Sequence, residues 1–549
     1  MHNAAFTRMP AEQRIYDFAA GPHHQEGKAM IHIDFCSKGQ RYKPYWKTCV
    51  GAGRANEGLR AAFQRQLRQV QEQIGFRYLR FHGLLHDDMF VVRENESGEK
   101  IYNFQYIDEL FDSMLEMQIR PFVELSFFPS CLKGGDATQF WWKANITPPE
   151  TWDGWCALID RLIRHWLQRY GEAEVRTWYF EVWNEPNLNS FWDGTRSQYF
   201  SLYAATAQTI KSIDPHLRVG GPATSNFVPD DRFDGETEDF THHLTHKVDD
   251  LDSLHWHGVW IEAFLDYCAK HRLPLDFVST HPYPTDFAFD QTGQMKGRTR
   301  NVDSTRQDMM WLKQTVQRSA YPNAEIHLTE WSSSPSARDC THDYLQEAAY
   351  LVKCNLDGIG LADSLSFWAF TDVFEETGAG DSIFHGGFGL INYQGIVKPS
   401  FHAYRMLSRL GDTLLYRDEH AFFTKKEGKL AALLYHYPLS STVSMSPYPD
   451  RSRAQKELET GEAVTVSCTL TGLTPGAEIL IETLDREHGW ALPLWLDMGA
   501  PEPPTREETA RLIEHANATD RRTVTADAQG TLTLQLSVCP WNVIGIYEQ

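Results

Sequence analysis

The sequence predicts an α/β fold, a (β/α)8 TIM barrel with an accessory all-β sandwich domain. Between residues 46 and 410, eight short apolar segments alternate with eight longer segments that carry apolar residues at helical spacing. Strict alternation at this count favours a closed barrel over an open sheet. After residue 411 the helical spacing ends and short strand-like segments follow. The length of 549 residues also exceeds what a single core usually supports.

Each predicted barrel strand is a short apolar segment, and each is followed by an amphipathic helix. In the first helix, for example, Leu59, Phe63, Leu67, Val70 and Ile74 recur at intervals of four and three residues. The predicted strands are 48–51, 78–83, 121–126, 179–183, 218–222, 276–281, 325–330 and 365–370. The predicted helices are 59–74, 106–117, 150–170, 199–213, 259–271, 303–318, 343–355 and 401–410.

The second domain is predicted to be a sandwich of short strands separated by turn residues. Its one helix, 506–516, follows a proline-rich breaker at 501–504. A further strand at 31–36 is expected to join the sandwich from the N-terminal region. The predicted sandwich strands are 422–425, 430–435, 463–470, 478–483 and 531–536. The expected domains are an extension over 1–45, the barrel over 46–410 and the sandwich over 411–549.

Charge and cysteine content exclude several classes of function. The formal net charge of −21 would repel nucleic acid and anionic membranes, so neither is expected as a partner. Nine cysteines without a C-x-x-C pair indicate reduced thiols and not a disulfide framework or zinc site. No signal peptide or membrane-spanning apolar segment is visible, which predicts a cytoplasmic protein. A homo-oligomer stays open.

Two carboxylates lie where barrel enzymes carry their active sites. Glu185 follows the fourth predicted strand, and Glu330 ends the seventh. Because the carboxyl ends of barrel strands share one mouth, these two side chains are expected to face each other. Such a pair suits cleavage of a glycosidic bond, since one carboxyl can donate a proton while the other attacks the anomeric carbon. A retaining enzyme needs about 5–5.5 Å between them.

Several motifs give the chain a specific resemblance. W-N-E-P-N-L at 183–188, H-P-Y-P at 281–284 and T-E-W at 329–331 resemble the retaining glycosidases of clan A. More narrowly, residues 31 to 549 resemble glycoside hydrolase family 39, the β-xylosidase family. The further matching segments are 77–85, 120–125, 219–223, 367–372, 384–390 and 484–489.

The resemblance implies roles for the residues around the two carboxylates. Glu185 would be the general acid/base, Glu330 the nucleophile, and Asn184 would hold the 2-hydroxyl of the sugar. Arg80, with the pair His281 and Tyr283, would orient Glu330 and keep it ionised. Arg80 has a second interpretation, an ion pair that fills the barrel core. No metal and no cofactor are expected.

The resemblance also implies residues that hold the sugar. His82, Glu375 and Glu376 would bind its far hydroxyls, although only one of the two glutamates is expected to point inward. The apolar walls would be Phe140, Phe191 and Trp368. For Phe140 and Phe191 the alternative is ordinary packing.

An acidic segment at 225–259 departs from the usual family pattern. It follows the fifth strand, so it is expected on the active-site side as a lid or an oligomer contact, with a solvated loop as the default. Its histidines lack a regular ligand spacing, so a metal is not expected there. These histidines are His242, His243, His246, His255 and His257.

The predicted function is a retaining exo-glycosidase that hydrolyses β-D-xylosides, with a small oligosaccharide or glycoside as substrate. Other neutral sugars stay open, namely β-glucosides, β-galactosides and α-L-arabinopyranosides, as does a non-catalytic sugar-binding barrel. An α-L-iduronidase would need cationic residues for the uronate, whereas Asp372, Glu375 and Glu376 are acidic. An aldolase-like or isomerase-like barrel would need a catalytic lysine, or a glycine-rich phosphate-binding segment at the ends of strands seven and eight. The sequence shows neither.

Overall fold

The computed structural model describes residues 30–241, 243–289, 292, 294–439 and 450–549. Eight parallel strands form a closed barrel, in which each strand pairs with the next along the chain. The last strand returns to the first, with Phe367 opposite Val50. This confirms the predicted barrel. The strands are β1 Cys49–Arg54, β2 Tyr78–His82, β3 Arg120–Glu124, β4 Tyr179–Glu181, β5 Arg218–Ser225, β6 Phe277–His281, β7 Glu325–Trp331 and β8 Ser364–Phe367.

A helix follows each barrel strand and packs its apolar face on the barrel. In the first helix this face is Phe63, Leu67 and Val70, all buried, as the three- and four-residue spacing predicted. The last helix begins with Pro399, whose missing amide hydrogen is not needed in a first turn. The helices are α1 Ala61–Gln73, α2 Gln105–Glu116, α3 Trp152–Tyr170, α4 Arg196–Ile213, α5 Ile261–His271, α6 Ser304–Arg318, α7 Gln346–Asp357 and α8 Pro399–Ser408.

The barrel interior is apolar at one end and charged at the other. Near the start of the strands, a compact cluster fills the barrel: Cys49, Tyr78, Phe122, Tyr179 and Phe277. Side chains alternate along a strand, so the next inward position on each strand lies two residues further on. On β2, β3 and β4 these positions carry charged residues, which are Arg80, Glu124 and Glu181. The sequence therefore places a charged layer directly beneath the barrel mouth.

The accessory domain consists of two packed sheets, as predicted. A core of residues from both sheets lies between them, including Phe423, Leu434, Val466 and Ile546. The N-terminal strand Ile31–Asp34 joins the smaller sheet in parallel with Val464–Thr471, whose other neighbour is Leu532–Val538. The larger sheet contains Gln40–Arg41, Thr413–Arg417, Ala421–Lys426, Lys429–Tyr435, Val543–Glu548, Glu478–Leu484 and Asp520–Thr525. The predicted helix is present as Arg506–Asn517.

Four strands of the larger sheet were not predicted. Gln40–Arg41 is too short to show a pattern, and Asp520–Thr525 is polar and largely exposed. Thr413–Arg417 is half-buried along its whole length, so it lacks the alternation that marks a strand. Val543–Glu548 contains Gly545, a residue with low strand propensity, and is held between two neighbouring strands.

Part of the acidic segment at 225–259 is packed, and this part differs from the solvated loop that was expected. The guanidinium of Arg232 is fully buried and donates to both carboxylate oxygens of Asp230, at 2.7 Å each. It also donates to Asp286 at 3.0 Å, in the segment that follows β6. A buried guanidinium needs anionic partners. Asp230 and Asp286 therefore neutralise the charge of Arg232, a role that the net charge of the chain did not reveal. His242 lies outside the described residues.

The segment also contacts the loop after β4 and the first turn of α4. The backbone amide of Asn189 donates to Glu238 at 2.9 Å, and the amide of Ser197 donates to Glu236 at 3.0 Å. These contacts place the segment on the side of the barrel that carries the strand ends. Among the described helices, none combines the length and the apolar character needed to cross a membrane.

Candidate active site

Arg80 is the centre of the charged layer beneath the mouth. Its guanidinium is fully buried and contacts four groups from three other strands or their ends. It donates to Glu181 at 2.6 Å, Glu330 at 2.7 Å and Asn184 at 2.8 Å, and it lies 2.9 Å from Glu124. Arg80 therefore forms ion pairs in the barrel core and also contacts Glu330 directly. The two interpretations of Arg80 from the sequence, a core ion pair and a partner of Glu330, are thus compatible.

Glu330 reaches the mouth because β7 is irregular there. The pairing of β7 with β8 shifts register between Leu328 and Trp331, and such a bulge turns side chains out of strict alternation. Both carboxylate oxygens then have a donor. Arg80 donates to Oε1 at 2.7 Å, and the Tyr283 hydroxyl donates to Oε2 at 3.1 Å. A guanidinium and a hydroxyl aimed at one carboxylate stabilise its ionised form.

Glu185 lies across the mouth in a different environment. Its backbone has a φ of +45°, an unfavourable conformation for a residue with a side chain, and its amide is held by the carbonyl of Ala223 at 2.8 Å. Among the residues that the structure describes, no Lys or Arg forms an ion pair with its carboxyl group, which contacts Nδ1 of His281 at 2.8 Å. Burial raises the pKa of Glu185 to about 7. Near neutral pH this carboxyl therefore keeps its proton for a large part of the time.

A chain of hydrogen bonds fixes which atom carries that proton. Burial lowers the pKa of His281 to about 4, so the imidazole is neutral and has one donor and one acceptor. Thr329 donates its hydroxyl hydrogen to Glu181 at 2.8 Å, so its oxygen accepts from Nε2 of His281 at 3.1 Å. Nδ1 is then the acceptor, and Glu185 must donate to it. The chain favours the protonated form of Glu185.

This chain corrects the expectation for His281. Together with Tyr283 it was expected to orient Glu330, but its Nδ1 lies 3.9 Å from Glu330 and 2.8 Å from Glu185. The reason is that Thr329 holds the other ring nitrogen and turns Nδ1 towards Glu185. Tyr283 contacts Glu330 as expected.

Asn184 presents a donor to the mouth. Its side-chain oxygen accepts from Arg80 at 2.8 Å, which fixes the orientation of the amide. Its Nδ2 atom is buried and has no hydrogen-bond partner among the described residues. An unpartnered buried donor beside two carboxylates suits a ligand hydroxyl.

His82 and Glu376 form the side of the site opposite Glu185. Nδ1 of His82 contacts Glu124 at 2.7 Å, while Nε2 lies 3.4 Å from Glu330 and 3.5 Å from Glu376. Burial alone would lower the pKa of His82, but the charges of Glu124 and Glu330 outweigh it and raise the pKa to about 9. His82 is therefore a cation near neutral pH. Burial raises the pKa of Glu376 to about 8.

The sequence left open which of the adjacent Glu375 and Glu376 points inward, and the structure places them differently. Glu376 faces His82 and the site. Glu375 points away and accepts from both terminal nitrogens of Arg60, one of them at 2.8 Å. The inclusion of Glu375 among the sugar-binding residues is therefore corrected, because its carboxylate is already engaged by a cation.

Aromatic side chains line the rest of the mouth. The rings of Phe140 and Phe191 are half-buried and lie 5.6 Å apart. Trp368 is buried, with its ring 4.8 Å from that of His82. The ring of Phe127 lies 6.4 Å from both Phe140 and Phe191 and completes this wall. Flat apolar faces of this kind suit the face of a sugar ring.

Sequence reasoning missed four residues of the site: Glu124, Phe127, Glu181 and Thr329. A signal was present for the two glutamates, since each lies two residues beyond an inward-facing aromatic residue on its strand. For Thr329 the signal was weaker, because its importance depends on its contact with His281.

The ligating atoms of Glu185, His281 and Glu330 lie within 4.8 Å of one another. Geometrically such a group could hold a cation. In this structure both nitrogens of His281 and both carboxylate oxygens of Glu330 already take part in hydrogen bonds with the protein. The arrangement therefore suits proton transfer and nucleophilic attack.

Comparison with known proteins agrees with this geometry. The family model for glycosyl hydrolases family 39 matches residues 29–533. A β-xylosidase of Geobacillus stearothermophilus is 38% identical over 484 residues, which is 86% of each chain.

Solved structures are also similar. The GH39 enzyme from Xanthomonas axonopodis pv. citri has a TM-score of 0.82 at 32% identity, and the match covers 96% of this chain and 99% of the other. A monomeric β-xylosidase from Caulobacter crescentus CB15 has a TM-score of 0.80 at 31% identity, with coverage of 95% and 99%. With its barrel, its carboxylate pair and these relatives, the chain is a glycoside hydrolase and belongs to family 39 of the glycosyl hydrolases.

Proposed function

We propose that the protein is a retaining exo-β-D-xylosidase that removes terminal xylose from short xylo-oligosaccharides by double displacement. The observation that carries the proposal is the pair Glu185 and Glu330, whose nearest ligating atoms lie within 4.8 Å of each other. An inverting enzyme needs about 6.5–9.5 Å between its carboxyl groups to admit a water molecule. The short separation favours direct attack by one of them.

In the first step, a carboxylate oxygen of Glu330 attacks the anomeric carbon. The bond to the leaving oxygen breaks, and Glu185 gives its proton to that oxygen, which departs as an alcohol. In the second step, ionised Glu185 takes a proton from water, and the resulting hydroxide attacks the anomeric carbon. The bond to Glu330 then breaks, the sugar leaves with its original anomeric configuration, and both carboxyl groups return to their starting states.

The two carboxyl groups have the environments that these steps need. The carboxylate of Glu330 accepts hydrogen bonds from the guanidinium of Arg80 and the hydroxyl of Tyr283. Glu185 is buried, and its pKa of about 7 suits a group that must donate and then accept a proton near neutral pH. The free Nδ2 of Asn184 is available for the sugar 2-hydroxyl, a contact that strengthens in the transition state.

Xylose as the glycone is supported by the relatives described as β-xylosidases. Within the site, charged His82 and the carboxyl group of Glu376 can bind the far hydroxyls. Asp372 cannot take part, because it forms an ion pair with Lys398 and accepts a hydrogen bond from the amide of Gly389. The acidic group that the sequence set against a uronate is divided in the structure, because Glu376 faces the site whereas Glu375 pairs with Arg60.

A panel of nitrophenyl glycosides tests both the sugar and the mechanism. The panel contains β-xyloside, β-glucoside, β-galactoside and α-L-arabinopyranoside, and proton NMR identifies the anomer that forms first. We expect the highest kcat/KM on the β-xyloside, with β-xylose as the first product. First-formed α-xylose would overturn the mechanism, and a higher kcat/KM on another glycoside would overturn the sugar assignment.

We further infer a cytoplasmic location, because the cysteines are free thiols, as is typical of proteins in a reducing compartment. A homo-oligomer also remains a proposal; the Caulobacter relative is described as monomeric. Size-exclusion chromatography with light scattering tests the oligomeric state.

A further inference from the structure

Four loops at the barrel mouth are tied together by one set of contacts, which we call the rim cluster: Arg54, Arg60, Asp88, Trp141 and Glu375. The indole Nε1 of Trp141 donates to the backbone carbonyl of Glu375 at 2.5 Å. The guanidinium of Arg54 lies 5.6 Å from the Trp141 ring centroid and 3.9 Å from the Glu375 carboxylate, and it also binds Asp88. Arg60 holds Glu375 from the other side.

The cluster joins segments from one continuous arc of the barrel. Arg54 ends β1, Asp88 follows β2, Trp141 lies in the hairpin Thr138–Asn145 after β3, and Glu375 follows β8. In the closed barrel β8, β1, β2 and β3 are neighbours in this order. The ring of Trp141 is 59% exposed, yet a hydrogen bond and a cation on one face hold it in place.

This arc lies directly behind the residues that would hold the sugar. Glu375 precedes Glu376, which lies 3.5 Å from His82, and Trp141 follows Phe140 of the aromatic wall. The leaving group must lie next to Glu185, which donates its proton, and Glu185 follows β4 on the other side of the mouth. The rim cluster therefore stands at the end of the sugar that faces away from the cleaved bond.

We propose that Trp141 is a specificity-determining residue that closes this end of the site and restricts cleavage to the terminal sugar unit. The inference rests on the proposed function. It gives a physical reason why the enzyme cleaves at the terminal sugar unit. A chain that extended beyond the bound sugar would need the space behind Glu376. Trp141, Arg54 and Glu375 occupy that space and connect the loops around it. A second sugar unit could enter only by displacing these contacts.

The test uses xylotetraose whose reducing end has been reduced to the alditol, so that the direction of cleavage is known. At initial rate the wild-type protein should release xylose and xylotriitol. In Trp141→Ala, loss of the indole should admit a second unit, and cleavage one bond further along should release xylobiose. We expect the xylobiose share of the initial products to rise by about 10-fold or more, as for other changes in pocket size.

Two further variants make the result specific. Trp141→Phe keeps a ring but loses the donor to Glu375, and should give a smaller rise in xylobiose than Trp141→Ala. Tyr106→Ala removes an exposed ring of α2 outside the rim cluster, and should keep the wild-type product pattern. Should Trp141→Ala fail to fold, the rise in Trp141→Phe decides.

The outcomes separate this inference from the proposed function. Xylose as the exclusive initial product of both Trp141 variants, with normal release by the wild type, would overturn the role of Trp141 alone. Absence of any release by the wild type would overturn the proposed function as well. Xylobiose release by Tyr106→Ala equal to that of Trp141→Ala would also overturn the inference, because the effect would not depend on the rim cluster.

Discussion

Replacing Thr329 with valine should weaken the hydrogen-bond chain that keeps Glu185 protonated. In that chain Glu185 donates to Nδ1 of His281, and Nε2 of His281 donates to Thr329. Valine has nearly the same shape as threonine but cannot accept a hydrogen bond. Without an acceptor at Nε2, the imidazole can shift its hydrogen to Nδ1 and donate to the ionised carboxylate. The variant should therefore lower the pKa of Glu185.

The magnitude follows from the pKa of about 7. At pH 6 a carboxyl group with that pKa is about 90% protonated, whereas one with the ordinary value of 4.5 is about 3% protonated, a difference of about 30-fold in the active acid. A typical hydrogen bond contributes about 1 kcal/mol net, which corresponds to about 0.7 pKa units. Thr329→Val should therefore move the pKa of Glu185 down by about that amount.

The assay is the pH dependence of kcat/KM on phenyl β-xyloside, whose poor leaving group needs the acid. For the wild type kcat/KM should fall by about 10-fold between pH 6 and pH 8, as Glu185 loses its proton. Thr329→Val should shift this decline to lower pH by about 0.7 units. Thr329→Ser keeps the hydroxyl and is the matched control. An unchanged decline in the valine variant, or an equal shift in the serine variant, would refute the hydrogen-bond chain.

Four further predictions address single groups. Glu330→Ala removes the nucleophile and should lower kcat on dinitrophenyl β-xyloside by more than about 10,000-fold; residual turnover near the wild-type rate would contradict its role. Glu185→Ala should lower kcat/KM on xylobiose by about 100- to 10,000-fold but spare the first step with dinitrophenyl β-xyloside, as burst kinetics would show; equal losses in that step would argue against an acid. Tyr283→Phe removes one donor to Glu330 and should cost about 10-fold in kcat, with wild-type rates speaking against this contact. Glu347 is fully buried, and burial raises its pKa to about 8. Its protonated form therefore makes its full contribution to the unfolding free energy below about pH 4.5, and this contribution is lost as the pH rises towards 8. Glu347→Gln should therefore flatten the decline in unfolding free energy between pH 5 and 8, measured in urea; a decline as steep as in the wild type would refute this.

Much of the fold was predictable because its signals are local. The apolar spacing of Phe63, Leu67 and Val70 indicates a helix wherever that helix packs, and eight repeats of strand and helix leave few ways to close a sheet. The strands that were missed, such as Asp520–Thr525, show why some of the fold was not predictable. A polar edge segment becomes a strand because a neighbour pairs with it, and no local pattern marks that pairing.

The sequence by itself determined which barrel strands carry the candidate residues at their ends. The closed order of the strands places Glu185 and Glu330 at the ends of β4 and β7, and alternation along β2 turns Arg80 and His82 inward. The alternation of side chains along a strand and the order of the strands along the chain can be inferred from the sequence, without knowledge of tertiary contacts.

Only the tertiary structure decided what each side chain does at the mouth. The shifted register of β7 aims Glu330 at Arg80, Thr329 turns His281 towards Glu185, and Arg60 takes Glu375 away from the site. Each of these outcomes depends on a donor or acceptor that lies far away along the chain. Hydrogen bonds and ion pairs act over about 3 Å in space and ignore separation in sequence, so the protonation and orientation of these groups are set only when the barrel closes.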